Sequence, residues 1–167
     1  MSAPKRQKLY LIIAIVVIIL AATVVYSKFF ATVERKVYFA NEQAAYLAVE
    51  SRQVKKNNLY SNLIKELIKG PKSDNLIATI PPQTKLLGVE IKNKTLLVNF
   101  SQELKKEHWG GTAGETMTVY SIVNTLAQSD EIEQVKILIA GAEIETLAGH
   151  MELSRPLSFN AKIISSK

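Results

Sequence analysis

The sequence predicts an α+β fold: a small, largely antiparallel sheet with two helices packed on one face, preceded by a single N-terminal transmembrane helix. Three observations lead there. An uncharged apolar run, LYLIIAIVVIILAATVVY over residues 9–26, stands apart from the rest of the chain. Beyond it, several short segments alternate apolar and polar residues with period two, the pattern of half-buried strands. Two further stretches carry helical periodicity and are bounded by cap-forming residues or glycine.

Crossing a bilayer core of about 30 Å takes about 20 apolar residues, and Phe29 and Phe30 extend the run towards that length. A cleaved signal peptide would have a shorter apolar stretch, about 7–15 residues, and a small-residue cleavage site. Here the run is followed by Tyr26, Lys28, Phe29 and Phe30. An uncleaved signal-anchor over 9–30 is therefore expected, with a short basic cytoplasmic tail over 1–8, a connector over 31–35 and a domain over 36–167. Lys5, Arg6 and Lys8 precede the span while Lys28, Arg35 and Lys36 follow it, so the positive-inside count is nearly balanced. Long C-terminal domains are exported largely regardless of charge, whereas short basic tails stay inside. The expectation is a single-pass protein of the cell membrane with its domain extracytoplasmic.

The net charge of +6 divides unevenly. Lys5, Arg6, Lys8 and Lys28 belong to the anchor, and all 15 acidic residues follow residue 30. The domain's own balance is close to even, which is not the footprint of a nucleic-acid partner. The chain has no cysteine. That excludes disulfides, thiolate chemistry, cysteine metal sites and attachment of lipid to a cysteine, so the span must anchor alone.

Within the domain, strands are expected over 36–40 and 46–51, around the polar turn of Asn41, Glu42 and Gln43. A helix follows, capped by Asn57 or Asn58, with Leu59, Leu63, Ile64, Leu67 and Ile68 on one stripe; Gly70 and Pro71 end it. After the stiff Ile80, Pro81 and Pro82, a hairpin alternates Leu87, Val89 and Ile91, turns at Asn93 and Lys94, and returns through Leu96, Val98 and Phe100. Thr112 and Glu115 match a capping box that opens a second helix, running to about Ser129 with Met117, Tyr120, Val123, Leu126 and Ala127 towards the core. Val135, Ile137 and Ile139 form another strand, Gly141 and Ala142 turn, and Ile144 lies on a short return. From Ala148 the tail reads as irregular.

Four stretches in this order, VYFANEQAAYLAVESRQV, LIKELIKGP, IPPQTKLLGVEIKNKTLLVNFS and GGTAGETMTVYSIVNTLAQSDEIEQVKILIAGAEIETLAGH, resemble the GerM (GerMN) domain of bacterial sporulation, germination and other cell-envelope proteins. No single stretch is specific; the ordered set is. The resemblance implies an extracytoplasmic, membrane-tethered domain without established catalytic activity, similar in fold to ring-building modules of secretion systems and of the channel complex between mother cell and forespore. Family members often carry two such domains or a lipid anchor, whereas this chain has one domain and a plain span.

Candidate chemistry is sparse. His108 and His150 are the only histidines, and neither Glu107 beside His108 nor Glu152 near His150 completes a metal-ligand spacing, so both read as solvated loop residues. Ser101, Ser121 and Ser154 lack a nucleophile-elbow context. Glu103, Glu107 and Glu115 are candidate carboxylates for glycan cleavage, but Glu115 is assigned to the cap. The loop of Gly110, Gly111, Thr112, Ala113 and Gly114 opens a helix and offers free N–H groups to an anion, yet lacks the P-loop Lys-Ser/Thr. Trp109, the sole Trp, sits between charged residues and glycines; exposed Trp is enriched in interface hot spots. Residues His108, Trp109, Gly110 and Gly111 are thus the candidate contact surface, with no catalytic residue, cofactor or metal assigned. The expected function is a non-catalytic assembly module whose partners are the membrane and envelope proteins or a second copy. The alternative is a peptidoglycan-binding or wall-modifying protein.

Overall fold

The computed structural model describes residues 3–165. Helix α1 (Ala3–Phe30) contains the apolar run, and Arg6–Tyr26 is long and apolar enough to cross a membrane with none of its residues buried by the rest of the chain. One residue, Ala31, separates it from strand β1 (Thr32–Asn41), which pairs antiparallel with β2 (Leu47–Lys55) from Thr32↔Lys55 to Ala40↔Leu47. The stretch 31–35 is therefore mostly strand rather than connector. Its exposed Thr32 and Glu34 disguise the alternation, while Val33 and Arg35 between them are half-buried.

Helix α2 (Leu59–Lys69) buries Leu63, Ile64 and Leu67, as its stripe predicts, and Gly70 closes it with φ 83° and an N–H to the Leu67 carbonyl. Asn58 holds the N-cap position in a left-handed conformation but makes no side-chain cap bond. The amide of Asn62 instead donates to the carbonyls of Lys55 and Asn57, fixing the turn between β2 and α2. Strand β3 (Leu76–Ile77) pairs with the end of β1, completing a sheet of order β2-β1-β3.

Strands β4 (Leu86–Lys92) and β5 (Thr95–Phe100) form the expected hairpin. Asn93 and Lys94 both have positive φ, the primed turn whose twist suits a two-residue hairpin. A short helix, α3 (Glu103–Lys106), follows and buries Leu104. Helix α4 (Thr112–Leu126) then returns the chain to β6 (Gln134–Ile139), which pairs parallel with β5; β7 (Ala142–Glu143) completes a second sheet of order β4-β5-β6-β7. A parallel pair needs a crossover, and α4 supplies it.

The α+β class holds, with the strands divided between two sheets. Helix α4 packs against β1 of one and β6 of the other. Ten of its fifteen residues are buried, so it reads as apolar or small on nearly every side. One core joins α2 and α4 to Phe39, Leu96, Val98, Phe100 and Ile137. Along β1, α4 and the residues just past its end offer side chains where another strand would offer backbone: Gln128 bonds both the N–H and the C=O of Lys36, and Thr125 accepts the N–H of Tyr38 at 3.1 Å. Asn124 does the same for Asn160 in the tail. That tail is more ordered than its composition suggests. Leu157 exchanges both backbone bonds with Val135, and Ile164 lies beside Leu47.

Arg52 is the buried cation of the first sheet. Its guanidinium meets Glu50 and Glu66, donates to the Gly70 carbonyl at 3.1 Å and lies 5.6 Å from the centre of the Phe39 ring. Burial would raise the Glu50 carboxyl, but the N–H groups of Ser73 and Lys72, with Arg52, hold it below the usual carboxylate range.

Candidate functional site

Because Gln128 and Thr125 contact Lys36 and Tyr38 while Met117 packs with Ala40 and Leu47, α4 runs antiparallel to β1. Its N-terminus therefore lies at the end of the domain far from α1, about 30 Å along β1 from Thr32. The candidate contact residues are there.

Gly110 and Gly111 have φ of 76° and 77°, a conformation that side chains resist, and Gly111 takes the N-cap position. No side chain caps the helix, so the predicted box between Thr112 and Glu115 does not form. Glu115 turns inward instead and is completely buried. Its Oε1 accepts the Thr146 hydroxyl and the N–H groups of Leu147 and Ala148 at 2.7–2.9 Å; its Oε2 accepts the His150 N–H at 2.8 Å. Burial opposes the charge, yet the bonds from Ala148, Thr146, His150 and Leu147 outweigh it and lower the pKa. Glu115 thus holds the 146–150 loop to the first turn of α4, where the helix dipole also favours a negative charge.

His108 is not a solvated loop residue. The Gly110 N–H donates to Nδ1 at 2.9 Å, which leaves the proton on Nε2, 3.0 Å from the Thr118 hydroxyl oxygen. The Thr118 hydroxyl in turn donates to the Thr79 carbonyl at 2.6 Å. Ser121 closes the network, accepting from the Thr79 hydroxyl and donating to the Thr118 carbonyl. Burial lowers the His108 pKa, offset in part by the Glu115 charge and the Gly114 backbone. The imidazole is a neutral peg between loop and helix.

Trp109 stacks on that peg, ring centres 5.5 Å apart and planes 19° from parallel, and remains 53% exposed. It also rests over Gly114. A Cβ there would come within 3.1 Å of indole Cδ1 and Nε1. His108 and Gly114 together seat a large apolar ring at the surface.

The other candidates do not assemble. Ser101 accepts the Lys85 N–H, and the Ser154 N–H donates to Glu152. Glu103 lies half-buried on α3, its pKa lowered by a hydrogen bond from Ser101. Among the described residues no three metal-ligating side chains come together. The His150 imidazole is exposed, and its backbone N–H serves Glu115.

At the opposite end, an open cleft of about 760 Å³ lies between the start of β1 and the C-terminal end of α4, walled by Glu34, Lys36, Tyr38, Gln128, Asp130 and Phe159. Tyr38 and Phe159 meet edge to face at 6.0 Å, and burial raises the Tyr38 pKa. No local motif marks this cleft, because its walls are far apart in sequence.

Comparison with known proteins fits this geometry. A comparison with curated proteins finds no match. The crystal structure of a candidate lipoprotein from Clostridium perfringens is similar, with 26% identity and a TM-score of 0.56 over 78% of this chain and 90% of that one. The first GerMN domain of the sporulation protein GerM from Bacillus subtilis gives 24% identity and a TM-score of 0.61, over 78% of this chain and 99% of that one. The tandem GerMN domains of the same protein give 21% and 0.64 over 82% of this chain, which spans 48% of the tandem's length. The model of the Germane family, described as "Sporulation and spore germination", matches residues 36–145, and the chain belongs to that family.

Proposed function

We propose that this protein is a membrane-anchored, extracytoplasmic, non-catalytic module that assembles with envelope proteins or with further copies of itself in sporulation, germination or other cell-envelope complexes. Helix α1 stays in the chain as a single-pass anchor, and the domain over 36–167 is the part that makes contacts. One observation carries this reading. At the distal end of the domain two ionisable groups, His108 and Glu115, are committed to internal hydrogen bonds, while Trp109 is seated on His108 and Gly114 and left exposed. Trp is enriched among the residues that anchor protein interfaces. The contact surface is accordingly His108, Trp109, Gly110 and Gly111, with His108 positioning rather than touching.

The test is affinity capture of the full chain from crosslinked, detergent-solubilised membranes. Recovery at the full mass of 18.6 kDa in the membrane fraction, together with defined envelope proteins or self-crosslinked oligomers, is the expected result. A shortened soluble product would overturn the anchor. Recovery of wall fragments without protein partners would replace the assembly module with a peptidoglycan binder.

A further inference from the structure

The junction between α1 and β1 is short enough to fix where the domain sits. The uncharged run 9–26 covers about 27 Å of the roughly 30 Å hydrocarbon core, with Arg6 and Lys8 outside it. The last helical turn, 27–30, adds about 6 Å, enough to complete the crossing and reach the headgroup layer. Ala31 alone then leads to β1, so Thr32 lies within about 8 Å of the helix end. No flexible tether intervenes.

The fold brings two lysines to that same level. Lys55 pairs with Thr32 across the hairpin, and the Lys56 N–H donates to the Ala31 carbonyl at 2.9 Å. The Asn62 amide, bonded to the Lys55 and Asn57 carbonyls, keeps this turn in place. Both lysines are exposed, and among the described residues neither has an ion-pair partner. Thr32, Asn57 and Asn58 beside them are uncharged; the acidic groups of this end lie apart from the turn, Glu34, Asp130 and Glu133 lining the cleft and Glu131 accepting the Tyr60 hydroxyl, and Glu34 is followed by Arg35 and Lys36. The hairpin turn nearest the span is therefore locally positive and is kept close to the bilayer surface.

We propose that this end of the hairpin, through Lys55 and Lys56, docks on anionic phospholipid headgroups of the bilayer that α1 crosses, so that the domain is held in one orientation with Trp109 pointing away. This rests on α1 remaining as an anchor. Juxtamembrane lysines each strengthen attachment to an anionic surface roughly fivefold, which makes two worth roughly 25-fold in the ratio of docked to undocked domain.

The cysteine-free chain permits a clean test. The full chain carrying Gln53→Cys, or Ala113→Cys at the distal end, is spin-labelled and placed in nanodiscs of phosphatidylglycerol or of phosphatidylcholine, each doped with a nickel-chelating lipid. Collision of the label with headgroup nickel is then read by electron paramagnetic resonance. Expected is strong collision at position 53 in phosphatidylglycerol, at least fivefold weaker in phosphatidylcholine or in Lys55→Gln/Lys56→Gln, and little at position 113 throughout. Collision at 53 that ignores both lipid charge and the two lysines, or equal collision at 53 and 113, would overturn the docking while leaving the anchor intact. A chain that fails to co-elute with the discs would overturn both.

Discussion

At the N-terminal end of α4, Glu115 and both ring nitrogens of His108 direct their hydrogen bonds inward, and an aromatic residue, Trp109, is left outside. At the other end, where β1 leaves α1, the exposed residues are charged, among them Glu34, Lys36, Lys55 and Lys56, and the side chains of Gln128 and Thr125 complete the strand edge. The contrast suits a domain held at a polar bilayer surface by one end and presenting a contact surface at the other. It also teaches that a buried carboxylate is no sign of catalysis here; its role is to close a loop.

The largest effect should come from removing that carboxylate. Glu115→Ala strands the N–H groups of Leu147, Ala148 and His150, which should lower stability by about 3 kcal/mol or more. Chemical denaturation measures the loss, and amide exchange should show it first in the 146–150 loop. At the opposite end Gln128→Ala removes two bonds to Lys36 at a partly solvated edge, and a smaller loss of about 1–2 kcal/mol is expected. Equal losses at the two ends would erase the contrast.

Acid should act at the distal end by the same route. His108 is held neutral in the fold, so its contribution is complete above the ordinary histidine range near 6.5 and is lost as pH falls through its lowered folded value. Glu115 has the same sign at lower pH, present above the ordinary carboxylate range and lost on further acidification. Protonating Nδ1 breaks the Gly110 bond beneath the only Trp. Trp109 fluorescence should therefore change below about pH 6.5, and this step should vanish in His108→Gln.

Gly114→Ala should have the smallest effect on stability, within about 1 kcal/mol, because the gain in helix propensity offsets displacement of the indole. Its signature is optical: the emission of Trp109 should shift to the red as the ring leaves its seat. An unchanged spectrum would mean that the ring is not held there.

Much of this was legible in the sequence, and for local reasons. The alternation of Leu96, Val98 and Phe100 marked β5 because all three face the core, and the Asn93–Lys94 turn followed from its residue types. Glycines and a lone Trp flagged the distal surface by composition alone. What escaped was non-local. Glu115 matched a capping box four residues long, but its true partners lie more than 30 residues away. His108 looked solvated because Thr118 becomes its neighbour only once α4 forms. The split into two sheets depends on the parallel β5–β6 pair, which period-two alternation does not specify, and the start of β1 was hidden by charges on its outer face.

The central claim, that the distal surface makes the contacts, is tested most directly by capture from crosslinked membranes with Trp109→Ala beside Lys55→Gln/Lys56→Gln, both in the full chain and matched for thermal stability. Trp109→Ala is expected to lose at least tenfold of its partner recovery, about 1.4 kcal/mol or more, while its stability stays near that of the parent and the lysine variant keeps its partners. Full recovery with Trp109→Ala, or a loss confined to the lysine variant, would contradict it.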